Sequence, residues 1–145
     1  MKKYILLLFF VLFTALLTTG CTNDTDENDV DIDLSDLSMT IIEAEYSRIL
    51  SNADDYNGKT IRAYGLYYTL LFSNSGDRFH YIIVVTGDEC CQMGFEFRRD
   101  GDYIFPDDYP SQNAIIQITG TLTKDEEIGP SYLYIDVDEF LVIGG

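Results

Sequence analysis

The chain has 145 residues, with 25 acidic residues against 9 basic ones and a formal net charge of −16. That length holds one domain of ordinary size around one core, and the acidic excess excludes nucleic acid as a partner, because phosphate binding draws its affinity from Lys and Arg. Eleven tyrosines, nine phenylalanines and no tryptophan, with Ile, Val and Thr in short runs, point to a mainly β chain.

Lys2 and Lys3 precede an apolar run from Tyr4 to Leu17, which is followed by Thr18-Thr19-Gly20-Cys21. These are the parts of an export signal, and the run is shorter than the ~20 apolar residues of a membrane-spanning helix. The end of the segment resembles the lipobox of bacterial lipoproteins, in which the Cys is lipidated and becomes the new N-terminus. Thr18 occupies the place where Leu is commonest, and Leu17 lies one residue further back. The resemblance implies a lipid on Cys21 that holds the mature protein on the outer, extracytoplasmic face of a membrane. The expected division is a signal peptide over 1–20, an acidic disordered tether over 21–38 and a β domain over 39–145.

The tether carries Asp24, Asp26, Glu27, Asp29, Asp31, Asp33 and Asp36 and no basic residue, too polar a run to offset its own ordering entropy. Asp29, Asp31 and Asp33 match the start of a calcium loop, but Leu34 stands where that loop needs Gly and Thr40 where it needs Glu. A solvated linker is the better reading. Thr40-Ile41-Ile42-Glu43 has capping-box form, which places a helix start there. Ile42, Tyr46, Ile49 and Leu50 recur at helical spacing, and the stretch from Asn52 to Gly58 stops the helix.

Five strands are expected, at 59–72, 79–86, 93–99, 114–124 and 132–143. In the last, Leu133, Ile135 and Val137 alternate with Tyr132, Tyr134, Asp136 and Asp138, and Ile116, Ile118 and Leu122 form a similar inner row before it. Gly65 and Gly120 fall inside strands, as they do where a sheet bends or bulges. Curling of this kind suggests a barrel. Asp100 to Asn113, with Pro106 and Pro110, reads as a long ordered loop.

The chemically unusual stretch runs from Asp88 to Arg98 and holds Glu89, Cys90, Cys91, Gly94 and Glu96. With lipid on Cys21, Cys90 and Cys91 are the free thiols, and three readings stay open. A disulfide between neighbours is strained, hence labile, and suits a redox switch. Alternatively both thiolates bind Zn²⁺ or a softer ion, with His80 and Glu96 or Glu89 completing the shell. Against this, consecutive strand side chains point to opposite faces, and a single His matches no standard zinc motif. In the third reading one Cys is core and the other lies in a covered loop, Met93, Phe95 and Phe97 face inward, and Glu96 is a polar-face residue paired with Arg98 or Arg62. Catalysis has little support, because His80 has no neighbour that marks it as a general base, and Asp88 and Glu89 disfavour a reactive thiolate at Cys90.

Asp55-Tyr56-Asn57-Gly58-Lys59-Thr60-Ile61, Gly65, Cys90-Cys91-Gln92-Met93-Gly94-Phe95-Glu96-Phe97, Tyr109-Pro110 and Ile116-Gln117-Ile118-Thr119-Gly120 together resemble a family of small, uncharacterised lipoproteins of Gram-positive anaerobes with a barrel of the OB (oligonucleotide/oligosaccharide-binding) type. The resemblance runs from Asp33 to the C-terminus, and Cys-Cys-x-x-Gly-x-Glu-Phe is its most specific piece. Gly87-Asp88-Glu89 departs from the small residues usual before the cysteines. The resemblance implies an OB-like five-stranded curled barrel and an exported location; it brings no activity with it. The usual OB barrel has a helix between its third and fourth strands, where this chain has only the Asp100 to Asn113 loop, so the one N-terminal helix is expected to cover the open end instead. The expected function is a non-enzymatic, membrane-anchored binding module for a small ligand, a metal or an envelope protein. A thiol or metal redox sensor and a purely structural envelope component are the alternatives.

Overall fold

The computed structural model describes residues 30–84 and 92–145. The export segment, Cys21, the first part of the acidic run, and Glu89, Cys90 and Cys91 lie outside them. The chain enters the sheet through a short strand, β1 (Ile32–Asp33), which pairs in parallel with the start of β2 (Thr60–Leu71). Ile32 and Leu34 are buried, so the packed domain begins at Ile32 and not at Met39. The acidic residues here have structural partners. Asp31 Oδ2 accepts from the Thr60 backbone N–H at 2.8 Å and from the Thr60 hydroxyl at 2.9 Å. Asp33 Oδ2 accepts from Arg62 at 3.1 Å.

Helix α1 (Met39–Ser51) leads into a single turn, α2 (Ala53–Tyr56). The helix starts one residue ahead of the expected box, with extended Ser38 at its N-cap and no side-chain cap. The Ser38 carbonyl accepts from the N–H groups of Ile41 and Ile42 at 2.9 and 3.0 Å, which places Thr40 inside the first turn, where its hydroxyl cannot cap. Ile42 and Ile49 face inward as their spacing predicts. Between them Tyr46 meets the Phe95 ring edge-on at 4.9 Å and donates to the Gly94 carbonyl at 3.0 Å.

The remaining strands are β3 (Arg78–Val84), β4 (Met93–Arg99), β5 (Ile115–Lys124) and β6 (Leu133–Gly144). The protein is mainly β: one six-stranded sheet in the order β1-β2-β3-β4-β6-β5, with β2 also pairing with β5, so that the pairings return to β2. All are antiparallel except β1 with β2 and β4 with β6. Two glycines permit this coiling. A Cβ on Gly65 would lie 2.2 Å from the Ile83 carbonyl oxygen, and one on Gly120 would lie 2.2 Å from that of Asp136. The β5–β6 register slips between Thr119 and Gly120, a bulge at the glycine.

The inner row is the one the alternation marks: Ile116, Ile118, Leu122, Leu133 and Ile135 are buried with Tyr67, Ile82, Phe95 and Phe97. Val137 is partly buried and packs against this core. The connection after β4 contains turns and no helix, as expected of residues 100–113. Among the described residues, no helix is long and apolar enough to cross a membrane.

Candidate functional site

Strands β3 and β4 share register from Val84↔Met93 to His80↔Phe97. Beyond that pair they part: Arg78 and Phe79 stay with β2, while Arg98 and Arg99 pair with β6. The register also assigns faces. His80 and Phe97 share the inner side, Tyr81 and Glu96 the outer one, so the two described candidate ligands project from opposite faces of the sheet.

On the outer side Glu96 is 4% exposed, the one buried charged residue among those described. Its burial comes from a turn far along the chain. Tyr132, at the end of the 125–132 turn, donates a hydrogen bond to Glu96 Oε2. Arg98 Nε donates to Oε1 at 2.7 Å, and its Nη2 meets Asp125 at 2.9 Å while the guanidinium lies 3.8 Å over the Tyr134 ring. Burial works against the charge on Arg98, but hydrogen bonds and charges from Glu96 and Asp125 outweigh it and hold the guanidinium firmly protonated. Burial, followed by Glu96, pushes the Tyr132 hydroxyl well above the usual phenol range, and the same two causes raise Tyr81. Both phenols are therefore hydrogen-bond donors at neutral pH. Above them a groove of about 590 Å³ opens between α1, β3, β4 and the turn, walled by Tyr46, Leu50, Tyr81, Phe95, Pro130 and Leu133.

On the inner side His80 sits in an aromatic cage. Its ring stacks on Tyr109 at 4.0 Å with 7° between the planes, and Nδ1 shares a hydrogen bond with the Tyr67 hydroxyl at 2.7 Å. Burial, then the charges of Arg78 and Arg99, lower the imidazole to about 4, with Glu96 opposing. His80 is neutral at physiological pH and serves as a packed, hydrogen-bonded ring.

The structure thus does not bring His80 and Glu96 together as co-ligands. Among the described residues no group of three His, Cys, Asp or Glu side chains is arranged to hold a metal ion. Arg98, one of the two partners expected for Glu96, is its partner; Arg62 instead pairs with Asp33. The sequence marks Tyr46 only as part of a helix face and Tyr132 only as part of a strand's outer row, and it does not mark Tyr81, since tyrosine is ordinary on any sheet surface. The one signal for a special position is Phe95-Glu96-Phe97 itself, a carboxylate held between two core residues. No protein-family model matches this chain, and no curated protein matches it.

Proposed function

We propose that this protein is a non-enzymatic binding module, lipid-anchored through Cys21 on the extracytoplasmic face of a membrane, that takes a small hydroxyl-rich ligand of the carbohydrate class in the groove over Glu96. A strand circuit β2-β3-β4-β6-β5-β2 with a parallel β4–β6 pair supports an OB-type barrel, a fold that takes oligosaccharides on its second and third strands and the loop before its last strand. In this chain those elements are β3, β4 and the 125–132 turn. The carrying observation is the buried Glu96 carboxylate, neutralised by Arg98 and ringed by tyrosines at the floor of the groove.

Because Arg98 already balances Glu96, the floor is polar without selecting a cation. Aromatic and aliphatic walls suit the C–H face of a sugar ring, and the Tyr81 and Tyr132 hydroxyls lie at its polar rim. A thermal-shift panel of saccharides, divalent metals and peptides tests this. Saccharide at a hundred times its Kd stabilises by about 2.7 kcal/mol, a response that Tyr81→Ala removes and that Cys90→Ser with Cys91→Ser leaves unchanged. A response to metals alone, lost in the cysteine variant, would favour the thiol or metal sensor instead.

A further inference from the structure

Arg48, Arg62, Arg98 and Lys124 each have a carboxylate within ion-pair distance. Lys59, whose ammonium lies over the Tyr56 ring, has none among the described residues, and neither do Arg78 and Arg99, in a chain with 25 acidic residues against 9 basic ones. The two arginines border the same cleft, of about 410 Å³, that opens where β3 and β4 part. Each is held by rings, which fix a guanidinium without neutralising it. Arg78 lies 3.8 Å over Phe105, and Arg99 lies 3.6 Å over Tyr103 and 4.6 Å over Phe140, with Nη1 donating to the Asp108 carbonyl at 2.9 Å. Of the carboxylates at the cleft, Glu96 is taken by Arg98 and Asp77 is exposed on the rim.

We infer that this cleft is a second site, distinct from the groove over Glu96, which binds a small organic phosphate between Arg78 and Arg99. Guanidinium forks match phosphate oxygens bidentately, and two of them on separate strands suit a tetrahedral group that presents oxygens in several directions. A cleft of this size lies within the range of small-molecule sites and exceeds what a bare phosphate fills. The organic part rests against the Tyr109 and His80 rings, which also border the opening.

The test is calorimetric titration of the full chain in neutral detergent with glycerol 3-phosphate, phenyl phosphate, inorganic phosphate and glycerol. Saturable binding of the two esters, tighter than inorganic phosphate and absent for glycerol, is expected. Arg78→Ala, which leaves the Arg99 packing intact, should weaken it at least tenfold, and Arg99→Gln should do the same where circular dichroism shows the fold retained. In vesicles, loss of glycerol 3-phosphate binding in phosphatidylglycerol but not in phosphatidylcholine assigns the ligand to a lipid headgroup; equal binding in both assigns it to a soluble ester. Absence of saturable binding by any phosphate, or unchanged affinity in Arg78→Ala, overturns the inference.

Discussion

Removing Arg98 should destabilise this protein more than neutralising Glu96, although both changes break the same ion pair. Glu96 is 3% exposed in its side chain and Arg98 is 38% exposed. Arg98→Ala leaves a buried carboxylate with only the Tyr132 hydroxyl, and such uncompensated burial costs about 3–5 kcal/mol. Water can reach the vacated place of a side chain this exposed, so the low end, about 3 kcal/mol, applies. Glu96→Gln keeps an acceptor for Tyr132 and leaves Arg98 paired with Asp125, so its cost is that of weakened hydrogen bonds, about 1–2 kcal/mol. The double variant should then be more stable than Arg98→Ala alone, because the stranded charge is gone. Urea unfolding of the four proteins, analysed as a double-mutant cycle, measures this. A cost below about 1 kcal/mol for Arg98→Ala would make the pair an ordinary surface contact, and additive single costs would refute the stranded-charge argument.

The other predictions address the frame. Relative to a chain beginning at Val30, one beginning at Met39 loses β1 with buried Ile32 and Leu34 and should be less stable by about 3 kcal/mol or more in urea. Gly120→Ala should unfold or severely weaken the protein, while Gly129→Ala, whose Cβ meets nothing within 4 Å, should be close to neutral in the same assay. His80 is the single histidine, so its imidazole protons report it alone and should titrate with a midpoint near 4. Its folded value lies below its unfolded one, so the unfolded chain takes up the proton first, and stability falls as pH drops from about 6.5 toward 4. Discounted for partial exposure, that loss is about 1–2 kcal/mol, and His80→Gln should flatten this part of the pH profile.

Much of the sheet was legible because its periodicity is local. Leu133 and Ile135 alternate with polar neighbours in β6, and glycines inside two strands mark where the sheet coils. The site was less legible because its parts converge from distant segments. The Glu96 carboxylate is an ordinary outer-face residue until Tyr132, 36 positions away, folds over it, and no spacing rule links the two. The same holds for His80, whose environment is set by Tyr109 from the long loop and by Tyr67 from β2. The acidic run misled for a complementary reason. Composition averages over a window, and Ile32 and Leu34 are two apolar residues among aspartates, yet they are the ones that reach the core. The Thr40 box failed on geometry, since the chain turns into the helix at Ser38 before the threonine is reached.

The most direct test of the binding account is amide NMR of the full chain in neutral detergent during titration with the saccharide that gives the largest thermal shift. The account predicts saturable shifts confined to Tyr46, Tyr81, Glu96, Tyr132 and Leu133, which vanish in Tyr81→Ala. Saturable shifts elsewhere, or none at Tyr81, Glu96 and Tyr132, would contradict it.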